Sequence, residues 1–373
     1  MTATSDMRRF VLIGPVLPFR GGIAQHTTML HRELRQSAEL LTVSFSRQYP
    51  RWLFPGESDI DPDYEQHREP GVEYLIDSIN PLTWRKAVAR VASFRPQAVV
   101  IPWWTVFWAP CFGFIAGSLR RKGIEVVFFC HNVVEHESAA WKIWLSRRVL
   151  RNGTRFVVHT REDAGNLLKL IPGARVDVHP HPVYSQFPPP ESTLLRRRGL
   201  ELLFYGFVRP YKGLDVLVEA MGQLRGRDVQ LTIAGEFWGS EKETRARITA
   251  LGLDEQVETR ARYHSDQETA ELFARADIIV LPYRSATGSG VVPIAYHYDR
   301  PVIVTRVGGL PDVVEDRRTG FIVPADDPDA LATAIGNATS EQCAAMRPAI
   351  IEFKRSLTWE SLARLLSSPD ANP

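Results

Sequence analysis

The sequence predicts an α/β protein made of two doubly wound domains, each built on a parallel sheet. Three observations carry that expectation. Apolar runs of strand length alternate with helical patterns along the 373 residues, as parallel strands joined by crossover helices require. A proline-rich break interrupts the alternation in mid-chain. The stretches that open the two halves also share one plan.

The first half offers "FVLIG", "LTVSF", "AVVI", "EVVFF" and "RFVVH" as strands, and the second offers "ELLFYG", "VQLTIAG", "IIVLP" and "PVIVT". Between the sets lies His179 to Ser192, "HPHPVYSQFPPPES", whose prolines forbid regular structure, so it reads as an interdomain linker. The halves begin "VLIGPVLPFRGGIAQH" and "LFYGFVRPYKGLDVLV". Each has a strand, a glycine, five residues, a basic residue and a second glycine, then a helix. Leu214, Leu217, Val218, Met221 and Leu224 form one apolar face, which starts the second of these helices at Lys212–Gly213. In each half the turn after the first strand presents a helix N-terminus, where free N–H groups and the helix dipole suit an anion. A plain tight turn would use the same residues. Neither turn is GxGxxG, so no nicotinamide cofactor is inferred.

Length suits two cores, and a formal net charge of +2 without a long basic stretch argues against nucleic acid as a partner. Cys111, Cys130 and Cys343 are odd in number and widely spaced, which fits reduced, buried thiols and neither a disulfide frame nor a zinc site. An early Asp6 and an apolar run cut by Pro15 and Pro18 read against a signal peptide. Val99 to Gly117, "VVIPWWTVFWAPCFGFIAG", has the length of a membrane span. Its two prolines and two glycines favour a buried strand, turn and helix instead.

"VGGLPDVVEDRRTGFIVPADDPDALATAI" (Val307 to Ile335), "PVIVT" before it and "ARADIIVLPY" upstream resemble the C-terminal half of the retaining GT-B glycosyltransferases of family four. "GPVLPFRGGIAQHTTMLHREL", the "CHN" of Cys130 to Asn132 and "LTWESLARLL" fit the same family. The resemblance implies two Rossmann-like domains facing across a cleft: residues 1–183 for the acceptor, 184–355 for a nucleotide-sugar donor, and a last helix in 356–373 crossing back to the first. It gives Lys212, and Arg209 in place of an arginine that usually follows the glycine directly, the task of holding the donor diphosphate. Fixed cations there stabilise the charge that builds on the leaving group, with Arg able to bind two oxygens and Lys acting as a point charge. Gly21 and Gly22 join the donor site through the first glycine turn. The resemblance gives His131, which follows "EVVFF", contact with the transferred sugar; a loop histidine bonded to backbone is the plainer alternative. His136 and Glu137 are lesser candidates for the same place. Tyr263, in "ARYHSD", sits where similar enzymes hold the base, and equally where a core tyrosine could follow a strand.

The family's donor loop normally carries two glutamates separated by seven residues. Here "ATGSGVVPIAYHYDRPVI" offers Ala286 and Ile294 in one register, Thr287 and Ala295 in the other. Neither supplies a carboxylate. Gly288 and Gly290 still let backbone approach a ligand, and Ser289 or Thr287 can cap the following helix. The expectation is that Thr287, Ser289 and nearby amides replace part of the glutamates' hydrogen bonding.

The resemblance further implies a retaining transfer in which a donor phosphate oxygen takes the acceptor's proton, with no protein nucleophile. No metal and no cofactor beyond the nucleoside diphosphate sugar are expected. The predicted activity is transfer of a sugar to a glycan or lipid-linked acceptor in cell-surface polysaccharide or glycolipid synthesis. A nucleotide-sugar epimerase or hydrolase, and a catalytically silent relative that binds a nucleotide or a partner transferase, are the alternatives. The predicted location is cytoplasmic. "WKIWLSRRVLR" (Trp141 to Arg151) is a candidate contact with the inner face of the membrane, or else a packed helix with a solvated charged face.

Overall fold

The computed structural model describes residues 8–50, 58–61, 64–133, 139–184, 186–192, 194–197, 199–239 and 241–367. His136, Glu137 and most of the aromatic and basic loop after Ser46 lie outside them. The chain divides into two compact units, residues 1–180 with 359–373, and residues 181–358.

In the first unit, strands β1 (Arg9–Ile13), β2 (Glu39–Arg47), β3 (Val72–Asp77), β4 (Ala98–Trp103), β5 (Glu125–Cys130), β6 (Arg155–Val158) and β7 (Val176–Val178) alternate with helices. These are α1 (Gly22–Ser37), α2 (Pro81–Phe94), α3 (Ala109–Arg120), α4 (Ala140–Leu150) and α5 (Arg161–Leu170). Among the described residues the sheet is parallel throughout, in the order β3-β2-β1-β4-β5-β6-β7. The apolar stretch from Val99 breaks into β4, a 3-10 turn (Val106–Trp108) and α3. Its rings form the interior: Trp108 lies 4.7 Å from Phe45 and 5.6 Å from Phe112, centroid to centroid. Among the described residues no helix is long and apolar enough to cross a membrane.

The second unit carries β8 (Leu200–Tyr205), β9 (Val229–Ala234), β10 (Val257–Arg260), β11 (Ile278–Leu281), β12 (Val302–Thr305) and β13 (Gly320–Val323). Its sheet is again parallel, ordered β10-β9-β8-β11-β12-β13. Helices α6 (Leu214–Gln223), α7 (Glu241–Ala250), α8 (Asp266–Arg275) and α9 (Val291–His297) connect strands, and α10 (Pro328–Asn337), α11 (Ser340–Ala345) and α12 (Arg347–Lys354) follow β13. The last helix, α13 (Trp359–Ser367), belongs to the first unit and packs on α1. The two sheets are those of the two Rossmann-like domains that the sequence predicts.

The strand readings "FVLIG" to "PVIVT" correspond to β1, β2, β4, β5, β6, β8, β9, β11 and β12. The remaining four strands escape the pattern for a physical reason. β3 is an edge strand with mostly half-buried side chains, and β7, β10 and β13 are only three or four residues long at or near sheet edges. With one strand neighbour, β3, β7 and β10 keep polar residues that erase the apolar run, whereas β13, GFIV, is apolar and lies inside the longer stretch from Val307 to Ile335.

In the second core, α6 buries Leu214, Leu217, Val218 and Met221 against the sheet. Leu217 is fully buried, so Leu217→Ala removes apolar contact and leaves a cavity. The expected loss is about 3 kcal/mol in the unfolding of this unit, measured as a lowered urea midpoint with unchanged slope.

Candidate functional site

In both sheets the strand order reverses once, between β1 and β4 and between β8 and β11. Open α/β sheets bind ligands beyond the carboxyl ends of strands at that switch point. In the second unit the segments that leave this point are Gly206 to Gly213, after β8, and Pro282 to Gly290, after β11.

Lys212 closes a 3-10 turn (Pro210–Lys212), its N–H donating to Arg209 O at 2.9 Å. Only 8 % of the residue is exposed. Its Nζ lies 5.5 Å from the centroid of the Tyr283 ring. Burial, and secondarily the charge of Arg209, lower its pKa to about 8. An ammonium held with so little hydration attracts a phosphate oxygen more strongly than a solvated one. Gly213 follows at φ 66, and a Cβ there would sit 2.0 Å from Pro282 O. Only glycine lets the two loops approach so closely.

Arg209 stands in different surroundings. Its guanidinium stacks 3.9 Å over the Trp238 ring, and Phe207 packs on the same indole. Arg209 also lines a pocket of about 440 Å³ on the side of α6 and α7, together with Leu214, Val218, Glu243 and Arg247. Arg284, which the sequence reading does not single out, braces these loops. It forms ion pairs with Asp215 at 2.7 Å and with Asp326, donates to Pro210 O at 3.1 Å, and its own N–H donates to Tyr211 O at 2.7 Å. Those two carboxylates hold its guanidinium pKa well above the ordinary value.

In the loop after β11, Ser289 Oγ accepts from the N–H of Val291, the first residue of α9, at 3.1 Å and lies 3.3 Å from the hydroxyl of Tyr283; the N-cap itself is Gly290, so neither Ser289 nor Thr287 caps the helix. Thr287 O accepts from Gly309 N at 3.2 Å. A Cβ on Gly308 would fall 1.4 Å from Ala286 O, so the Gly308–Gly309 turn lies directly against this loop. Around Gly288 the space is open, while Gly290 faces the Tyr184 hydroxyl. Both positions that could take the second glutamate, Ile294 and Ala295, are buried on α9 among apolar neighbours. Tyr263 lies beyond the end of β10, at the edge of the sheet and two strands from β8.

In the first unit Gly21 caps α1, with φ 97, and Gly22 begins it. His131 follows β5, its backbone N–H donating to Trp103 O at 2.8 Å. Its ring meets those of His26 (4.6 Å between centroids), Phe129 (4.9 Å) and His159 (5.2 Å). The sequence reading misses His26 and His159. The available signal was weak: each lies next to a segment already picked out, His26 in the glycine-turn helix and His159 at the end of "RFVVH". Among the described residues this trio could hold a metal ion, with one ligand atom from each ring and all three within 4.8 Å of one another. Ligands 2.0–2.1 Å from a tetrahedral zinc would lie about 3.3 Å apart, so the trio as it stands is wider than a closed shell.

Residues 20–187 match the family described as Glycosyltransferase Family 4, and residues 199–341 match Glycosyl transferases group 1. The D-inositol 3-phosphate glycosyltransferase of Mycobacteroides abscessus is 30 % identical over 235 residues, 60 % of this chain and 53 % of that protein. That of Streptomyces scabiei is 28 % identical over 278 residues, 66 % and 62 % respectively. The chain thus spans between half and two thirds of the length of these curated relatives. HepE of Anabaena in complex with UDP superposes with a TM-score of 0.71 at 16 % identity, over 97 % of this chain and 98 % of that one. Sucrose-phosphate synthase from Thermosynechococcus elongatus does so with 0.74 at 18 %, over 96 % and 97 %. At such identities the likeness speaks for the fold. The two family matches, one to each unit, together cover most of the sequence and are both to glycosyltransferase families, and the fold is GT-B.

Proposed function

We propose that the protein is a retaining, metal-independent glycosyltransferase that moves a sugar from a nucleoside diphosphate sugar to a glycan or lipid-linked acceptor. The observation that carries this reading is the buried Lys212 ammonium beyond the carboxyl end of β8, at the switch point of the second sheet. Departure of a nucleoside diphosphate builds negative charge on its outer phosphate, and a fixed cation with little water around it stabilises that charge. Arg209 adds a second cation to the loop, and Ser289, Thr287 and the amides near Gly288 and Gly290 supply hydrogen bonds. Tyr263 is assigned to the base, and His131, with Gly21 and Gly22, to the sugar and its surroundings. Retention follows if a phosphate oxygen of the donor takes the acceptor's proton on the face of attack. UDP and its sugars are the first donors to try, since solved structures of HepE hold UDP and UDP-glucose.

A lipid-linked acceptor in cell-surface glycan synthesis, handled at the inner face of the membrane, gains support from α4. Trp141 and Trp144 are 59 % and 63 % exposed there. Lys142 and Arg148 stack beside their rings, and Arg147 adds a further cation to the same helix. Indoles and cations together suit the boundary of an anionic bilayer.

Calorimetric titration with nucleoside diphosphates and their sugars tests the donor site. Binding of one of them that is strongly weakened in Lys212→Ala is the expected result. No binding by any of them would favour a catalytically silent relative. Affinity is expected to weaken as pH rises from about 7 to about 9, because free Lys212 loses its proton near pH 8. Lys212→Met should bind weakly with no such dependence over that range.

The double variant Thr287→Ala, Ser289→Ala tests the loop. For two hydrogen bonds of about 1 kcal/mol each, donor affinity should fall about 30-fold. Unchanged affinity and turnover would remove these hydroxyls from donor binding.

A further inference from the structure

Three neighbouring strands of the first sheet end in step, and each is followed by a histidine. Cys130 is paired with Val158, and Val158 with Val178. His131, His159 and His179 therefore leave the sheet side by side. The His179 N–H donates to Val158 O at 2.9 Å, which fixes the His179 carbonyl beside β6.

That carbonyl decides where the protons of its neighbours sit. His159 Nδ1 lies 3.1 Å from His179 O. A carbonyl oxygen only accepts, so Nδ1 carries the proton and Nε2 of neutral His159 keeps its lone pair. This Nε2 is 3.3 Å from His131 Nδ1. His131 must then donate from Nδ1, which leaves its own Nε2 as the lone-pair nitrogen.

The start of the chain of bonds is well anchored. The His179 ring bonds Ser361 Oγ of α13 at 2.8 Å and donates to Pro180 O at 2.7 Å. The imidazole of His26, from α1, meets the His131 ring edge-on and packs 4.9 Å from Trp359 of α13. Two helices thus hold the ring planes while the backbone sets the tautomer.

We propose that His159 is a positioning residue that locks neutral His131 in the tautomer with Nδ1 protonated and Nε2 accepting, on instruction from the His179 carbonyl. The consequence for the reaction rests on the assignment of His131 to the sugar. There, Nε2 would accept a hydrogen bond from a hydroxyl and could not donate one to it. The lone pair of His159 also stabilises the cation formed whenever His131 Nε2 gains a proton. A second ring nitrogen tied to a fixed acceptor is the usual means of orienting a working histidine.

The test is long-range ¹H–¹⁵N correlation spectroscopy on the full chain without ligand, in the pH range where both histidines are neutral. Signals are assigned by substitution. Both His131 and His159 should show the pattern of a protonated Nδ1 and a bare Nε2. His159→Phe keeps a ring but loses the acceptor, and should move His131 to a mixture of tautomers or to the Nε2-protonated form. His159→Gln, whose amide oxygen can accept from Nδ1, should restore the original pattern. With donor and acceptor in hand, kcat should fall about 10-fold in His159→Phe with donor KM unchanged, the low end of what loss of an orienting hydrogen-bond partner costs at metal-bound histidines, and should recover in His159→Gln. A native His131 protonated on Nε2, or a His131 spectrum indifferent to His159→Phe, overturns the proposal. If the phenylalanine variant does not fold, the native spectrum and that of His159→Gln decide alone. Because the spectra need no substrate, a failure of sugar transfer would count against the proposed function and leave the tautomer result standing.

Discussion

Parallel pairing is the constraint on which the rest of this structure depends. Its ladders force every strand of a sheet to run the same way, so all carboxyl ends emerge on one edge. The interior is left to Val, Ile, Leu and Phe, and residues with chemistry to perform collect beyond that edge. His131, His159 and His179 meet for this reason alone: they are 28 and 20 residues apart in sequence but follow strand ends that lie in register. The same constraint brings Gly213 against Pro282 and Lys212 near Tyr283, where β8 and β11 end side by side.

The second unit shows how a fold keeps a cation in a place that disfavours it. Burial lowers the pKa of Lys212, as does the charge of Arg209, so the free site is poised to accept negative charge. The backbone around it is held by other means. Arg284 spends its guanidinium on Asp215, Asp326 and the Pro210 carbonyl, and Gly213 admits the close approach of the two loops. The loop after β11 departs from the family in a consistent way. Where a second glutamate would stand, α9 turns Ile294 and Ala295 into the core, so polar contacts from this loop are left to the segment from Thr287 to Gly290.

The first unit resolves the most ambiguous stretch of the sequence. Val99 to Gly117 has the composition of a membrane span, yet it is the aromatic heart of the first unit's core, where Trp108 packs against Phe45 and Phe112. Two tryptophans on α4 take the opposite course and stand exposed beside Lys142 and Arg148. Composition alone treats these tryptophans alike, because transfer free energy depends on the side chain while burial depends on what packs over it.

Sequence by itself determined the α/β class, the repeated strand–glycine–basic–glycine–helix plan, nine of the strands and the two helix starts after Arg20–Gly21 and Lys212–Gly213. These were legible because they rest on local periodicity and on glycine and proline chemistry, which act within a few residues. The short edge strands, the brace formed by Arg284 and the histidine row were not. Asp215, Arg284 and Asp326 are distant in sequence, and nothing local marks them as partners. His159 looks like any residue that ends an apolar run until the register of β5, β6 and β7 sets it between a carbonyl and His131. Only the tertiary structure decided these, because pairing between strands is long-range: it sets which ends are neighbours, and hydrogen-bond geometry between neighbours sets which nitrogen carries a proton.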